Sequence, residues 1–214
     1  LAFGGTATPP SPYFTACNKY DGTNWTATGA LNTARNNMTT AGTQTAGLSA
    51  FGAAYPVSYN VTEEYNGTGW TTVNPGSNTG KSRPGVGSQT SALAVGGLLP
   101  AISNLVESYD GTNWTAAPTL NTARSDMGGG GATNTAGLAF AGNEPPVSAK
   151  TEQFNGTSWT EVGDLANAGY GRQGLGGSSP SAAQLATGGG DPAYLAYTEE
   201  WTEPSYVAST VTTS

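Results

Sequence analysis

The feature that constrains this chain most is a six-residue phrase that returns at a near-constant interval. Tyr20-Asp21-Gly22-Thr23-Asn24-Trp25 recurs as Tyr65-Asn66-Gly67-Thr68-Gly69-Trp70, as Tyr109-Asp110-Gly111-Thr112-Asn113-Trp114 and as Phe154-Asn155-Gly156-Thr157-Ser158-Trp159. A degraded fifth copy reads Trp201-Thr202-Glu203-Pro204-Ser205-Tyr206. Successive copies begin 45, 44, 45 and 47 residues apart. A chain with such a period repeats one supersecondary unit, and each unit buries its apolar face only against its neighbours.

Each unit reads as four short strands. A small, polar first strand follows Arg35, Arg83, Arg124 or Arg172, as in Thr39 to Thr45. The second is apolar and ends in small residues: Leu1 to Gly5, Leu48 to Gly52, Leu93 to Gly97, Leu138 to Gly142 and Leu185 to Gly189. The third carries Glu63, Glu107, Glu152 or Glu199 two places before the aromatic, and the fourth starts at the Trp and alternates. Asp-Gly or Asn-Gly joins third to fourth, the preferred residues of a tight hairpin turn. No segment has a helical period with caps. Four-stranded units repeated every 45 residues or so predict an all-β fold, a five-bladed β-propeller of one domain over residues 1–214. The repeats run approximately over 1–28 (partial), 29–73, 74–117, 118–162 and 163–214. Small residues suit the innermost strands, where blades crowd the axis. The repeated Trp and Tyr are expected to pack between blades.

The pattern resembles the kelch family over nearly the whole chain. The resemblance rests on the paired glycines (Gly4-Gly5, Gly96-Gly97, Gly188-Gly189), the Tyr…Trp pair and the Arg that follows it. The Tyr-to-Trp spacing is shorter than the usual kelch spacing, and the pair is altered to Gly52-Ala53 and Ala141-Gly142. The resemblance implies a propeller and says little about activity. Narrower phrases resemble repeats in structural proteins of marine and cyanobacterial phages: Leu31 to Arg35, Leu120 to Arg124, Ala41 to Ala46 and Leu1 to Gly5. That resemblance implies a virion or extracellular location.

Composition narrows the function. Seven basic and fourteen acidic residues give a net charge of −7, and charged residues are only 10% of the chain. The basic residues are scattered singly, so no cluster fits a nucleic-acid backbone. No apolar run is long enough to cross a bilayer, and no basic-headed signal peptide is visible, so no membrane insertion is expected. Leu1 falls inside a predicted strand, as expected of a processed or truncated product. The single cysteine, Cys17, is expected to be a buried strand residue without a disulfide. The 32 glycines and 13 prolines are balanced by five Trp, ten Tyr and five Phe, which supply the area an ordered core needs.

Chemistry is sparse. With no histidine, Ser-His-Asp and Cys-His machinery is excluded, as are His-based zinc and copper sites. The resemblance therefore does not extend to kelch-type copper oxidases. Ser108 to Trp114 is similar to the Asp-box turn of sialidases, a structural element there, with a spacing one residue short. The four arginines could form a ring for a substrate carboxylate, but pairing with the repeated glutamates or with blade-connecting carbonyls is the stronger expectation. The glutamates share one blade position, whereas an acid/base pair needs two different environments. Around the axis they could hold Ca²⁺, without any EF-hand spacing. The Asn-x-Thr triplets at Asn24, Asn60, Asn66, Asn113 and Asn155 read as products of repetition. No catalytic residue, metal site or cofactor is expected.

Binding is expected on one face. The Asp-Gly and Asn-Gly turns are nearly invariant between blades. The loops from second to third strand differ in each: Thr6 to Thr15, Ala53 to Asn60, Leu98 to Asn104, Asn143 to Ala149 and Gly190 to Ala196. A repeating scaffold with one variable set of loops suits recognition. The candidate ligand-binding residues are Tyr13, Tyr55, Tyr59, Leu99, Pro146 and Tyr194, because Tyr and Pro lose little entropy on contact. The expected partners are virion proteins or a host-surface protein or glycan, with a lectin-type propeller as the alternative. The first unit lacks its innermost strand in this reading. Val207 to Ser214 bending in, an empty position, or a second chain would each answer that, so a homo-oligomer or larger assembly is possible.

Overall fold

The computed structural model describes residues 1–7, 12–175, 183–190, 193 and 196–202, and among these there is no helix. Strands form five antiparallel sheets arranged as the blades of a propeller. The first blade holds β1 (Ala2–Phe3), β2 (Cys17–Tyr20) and β3 (Trp25–Thr28). The second holds β4 (Thr39–Gly42) and β5 (Gly47–Ala50), then a small ribbon of β6 (Ala53–Ala54) and β7 (Val57–Ser58), then β8 (Thr62–Tyr65) and β9 (Trp70–Val73). The third comprises β10 (Gly85–Ser88), β11 (Ser91–Leu98), β12 (Ile102–Tyr109) and β13 (Trp114–Ala117). The fourth comprises β14 (Gly128–Thr133), β15 (Ala136–Phe140), β16 (Thr151–Phe154) and β17 (Trp159–Val162). The fifth shows β18 (Gln173–Leu175), β19 (Ala183–Thr187) and β20 (Thr198–Thr202). The middle three blades are four-stranded, in sequence order from the axis outward. The innermost strands β4, β10, β14 and β18 pack in succession around the centre.

The repeated phrase forms the outer hairpin by one mechanism. Asp21, Asn66, Asp110 and Asn155 each accept two backbone N–H bonds through Oδ1, from the residues two and three places on, at 2.7–3.1 Å. The intervening Gly22, Gly67, Gly111 and Gly156 sit at φ between 91° and 101°, where only glycine is unstrained. The N–H groups of Asn24 and Thr23 hold the Asp21 carboxyl below its usual 3.8, and those of Asn113 and Thr112 do the same for Asp110. Gly69 is different: its φ is not positive, and a Cβ there meets no atom within 4 Å. Gly69→Ala is expected to stabilise the fold by about 0.4–1 kcal/mol through the unfolded chain, read as a higher urea midpoint.

Blades join through apolar faces and backbone latches. Trp70 meets Phe3 of the preceding blade edge-on, with ring centroids 4.7 Å apart, and Trp114 meets Phe51 at 5.0 Å. Trp159 packs into the cluster containing Val95 and Val106. These three Trp are 5–7% exposed, and Tyr65, Tyr109 and Phe154 lie buried beside them. Burial raises the Tyr109 hydroxyl pKa, as does its 2.9 Å bond to the Glu64 carboxylate. Trp25 departs from the pattern at 58% exposed. Gly5, Gly52, Gly97 and Gly142 donate N–H to the next blade at Arg35, Gly80, Arg124 and Gly169, at 2.7–2.9 Å. Cys17 is buried and free.

The arginines do not occupy equivalent positions, contrary to the expectation from sequence. The bridges Asn36–Ala53, Lys81–Leu98, Ser125–Asn143 and Tyr170–Gly190 align the blades. Arg35 and Arg124 precede this bridge by one residue; Arg83 and Arg172 follow it by two. Where one class has Arg the other has Gly80 or Gly169, and where the other has Arg the first has Met38 or Met127. Both routes deliver a buried guanidinium to the same glutamate: Arg35 to Glu63, Arg83 to Glu107 at 2.6 Å, Arg124 to Glu152 at 2.8 Å and Arg172 to Glu199 at 3.4 Å.

Candidate functional site

The second-to-third-strand loops and the entry to each innermost strand lie at one end of the molecule, tied together by the same four bridges. At the centre of this end is a channel mouth of about 270 Å³ lined by Asn37, Ser82, Asp126, Gly171, Arg83 and Arg172, among others. Asn37, Ser82, Asp126 and Gly171 are equivalent and all have positive φ, from 51° to 66°. That geometry turns their amides along the ring. Ser82 N–H donates to Asn37 O at 3.0 Å, Asp126 N–H to Ser82 O at 3.1 Å and Gly171 N–H to Asp126 O at 2.6 Å. The arginines at the mouth are engaged inward with their glutamates, and burial pulls the Arg83 guanidinium below its usual value while Glu107 opposes the shift. No group of three or more His, Cys, Asp or Glu able to hold a metal occurs among the described residues.

The candidate residues divide by blade. Tyr55, at the tip of the β6–β7 ribbon, is 84% exposed, the largest value among the exposed large hydrophobic residues. Its backbone N–H donates to the Tyr13 hydroxyl at 2.8 Å, so the loops of the first and second blades meet through this pair. Tyr13 is half-buried and is held by the Thr6–Tyr13 bridge and by Phe14 N–H to Gly5 O at 2.9 Å. Tyr59 is half-buried and works through its backbone, donating to Gly52 O at 2.8 Å and accepting from Gly80 N–H at 3.1 Å. Leu99 begins the tight turn of the β11–β12 hairpin and lies against the backbone of Gly80. Pro146 is exposed on the fourth blade, near the Lys150–Glu144 ion pair at 3.2 Å. Tyr194 lies outside the described residues.

The structure thus brings Tyr13 and Tyr55 together and leaves Leu99 and Pro146 on other blades. Sequence reasoning missed Phe14 and Val57, both exposed beside that pair. It also missed the channel mouth. The signal was present in Asn37, Asp126 and Gly171, residue types that tolerate positive φ just before an inner strand.

A scan against models of known protein families finds no match, and a search of curated proteins finds none either. The fold and its two ends define the class: a five-bladed β-propeller with one uniform face of turns and one variable face of loops.

Proposed function

We propose that this propeller is a non-enzymatic binding module of a virus particle, a kelch-like repeat protein of a phage tail, fibre or capsid. It would contact another virion protein or the host surface through its variable loops. The observation that carries this reading is the joined Tyr13–Tyr55 pair, flanked by Phe14 and Val57. A loop tip whose backbone is held by its neighbour's hydroxyl presents its aromatic from a fixed point, with less backbone entropy to lose on contact. The phage-like phrases at Leu31 to Arg35 and Leu120 to Arg124 support a place in a particle. The low share of charged residues and the commitment of the buried arginines to glutamates support recognition as the role.

The test is immunodetection of the protein in gradient-purified virus particles, followed by binding of labelled protein to intact cells of the host on which they grow. Tyr55→Ala is expected to leave the urea midpoint within about 0.5 kcal/mol of the parent and to weaken binding at least about tenfold. Absence from the particles would end the virion reading. Absence combined with a response on immobilised glycans would replace it with the lectin alternative.

A further inference from the structure

Only two of the sixteen asparagines in the chain precede a glycine, Asn66 and Asn155. Both stand in the same place, the outer hairpin turn of the second and fourth blades. The first and third blades carry Asp21 and Asp110 there. All four turns share one geometry, with Oδ1 accepting the N–H groups two and three places on. What differs is the acceptor, an amide in two blades and a carboxylate in two. An amide followed by glycine is open to attack by the glycine's own backbone nitrogen. Asn66 and Asn155 are exposed, so water reaches both. Among the described residues the N–H groups of Gly67 and Gly156 donate no hydrogen bond, so no bond is broken when either loses its proton. The space is open as well: a Cβ on Gly67 would meet only Thr45 O, at 3.6 Å. Other asparagines are tied down. Asn60, Asn104 and Asn121 donate Nδ2 to backbone carbonyls at 3.0–3.1 Å, and a side chain on the following residue crowds the nitrogen in each case.

We propose that Asn66 and Asn155 are sites of spontaneous, water-driven loss of the side-chain amide, and that the aspartate formed at each takes the place Asp21 and Asp110 hold in the other blades. The Gly67 nitrogen, having given up its proton, bonds to Asn66 Cγ. The Cγ–Nδ2 bond breaks, and Nδ2 leaves as ammonia with that proton. The product is a five-membered imide. Water then adds at Cγ and reopens the ring as aspartate, so one water is taken up and one ammonia released. Opening at the other carbonyl gives isoaspartate, whose extra main-chain atom disrupts the turn. Ring closure takes a rotation about the Cα–C bond of the asparagine, which the hairpin end permits by local opening. Its base is closed by a long backbone bond, Asn66 N–H to Gly69 O at 3.2 Å or Asn155 N–H to Ser158 O at 3.3 Å. The second blade has two further ties: the Tyr65 hydroxyl donates to Gly67 O, and the Thr68 hydroxyl to Asn66 Oδ1, both at 2.8 Å. Phe154 has no hydroxyl to give, so Asn155 is the faster site. The turn accepts the product. Its N–H groups hold the Asp21 and Asp110 carboxyls below their usual 3.8, and a carboxylate is a stronger acceptor than an amide oxygen. Two added carboxylates take the net charge from −7 to −9, all of it on the uniform turn face. The proposal does not rest on the loop-face reading.

The test warms the full chain in mildly alkaline buffer and samples it over days by isoelectric focusing, with peptide mapping after digestion in acid. Two acidic forms are expected in succession, the change falling first at Asn155 and then at Asn66. Both should convert at least about tenfold faster than Asn24 and Asn113, exposed residues of the same phrase that are followed by Trp. The chain carrying Asn66→Asp and Asn155→Asp is expected to show neither form and to unfold at a urea midpoint no lower than the parent's. Retention of both amides in the folded chain, while a sample unfolded in urea loses them, would overturn the proposal. Equal rates at Asn24 and Asn113 would do the same. A lowered midpoint in the double variant would show that the turn does not accept the product, which also overturns it.

Discussion

Glu152→Ala is expected to cost about 3–5 kcal/mol in urea unfolding, because it strands a guanidinium that no water reaches. Arg124 and Glu152 are both fully buried, with Nη2 to Oε1 at 2.8 Å. The carboxylate also accepts from Asn121 N–H at 2.7 Å and Asn121 Nδ2 at 3.0 Å. It therefore fastens the connection that enters the fourth blade to that blade's third strand. Losing it leaves a cation and two donors unmatched. Arg124→Met in the same protein should recover part of the loss, since an apolar side chain of similar length removes the uncompensated charge. Recovery stays incomplete, because Arg124 Nη1 also serves Ala141 O and Lys150 O, each at 2.8 Å. A single variant that costs under about 1 kcal/mol would show that the pair does not hold the blade.

The same network explains what could be read from the sequence and what could not. The turn phrase was legible because each of its residues has one use: Asx to accept, Gly for positive φ, Trp to cover the neighbouring blade. The Arg–Glu partnership was legible as composition, since both recur once per unit. The register of the arginines was not. Arg35 and Arg83 reach equivalent glutamates from backbone positions three residues apart, and a long side chain erases that offset. Met38 and Gly80 fill the places the arginines leave, and nothing in a scan of arginines alone reveals the exchange. The equivalence of the four copies of the Trp failed at Trp25 for a related reason. Burial of that position is supplied by the preceding blade, so identical local sequence gives different exposure. The candidate site was legible residue by residue in Tyr13 and Tyr55, but their contact depends on the path of two loops that share no pattern. The channel mouth was hidden because its polar groups are mainly backbone.

Gly85→Ala is the second large effect, and it tests how tightly the axis is packed. A Cβ on Gly85 would fall 2.0 Å from the carbonyl oxygen of Thr40 and 2.9 Å from its nitrogen. Gly174 stands in the same relation to Gly129, at 1.9 Å. These obstacles are backbone atoms of the neighbouring inner strand, so no side chain can rotate away. The innermost strands would have to separate, which loosens the ring of bonds from Asn37 to Gly171 at the same time. Overpacking of a well-fitted core costs typically 1–3 kcal/mol. With backbone on the receiving side, about 3 kcal/mol or more is expected here, read from the urea midpoint. Gly163→Ala serves as the control, because a Cβ there meets nothing within 4 Å and its φ is not positive. Equal stability of the two variants would mean that the inner strands sit further apart than their closest contacts indicate. The expected gap between them would instead place the axis among the most stringent parts of the sequence. Gly85 and Gly174 would then share one cause, the backbone of the strand next door, whereas a Cβ on Gly129 meets first the Pro84 side chain, at 2.9 Å.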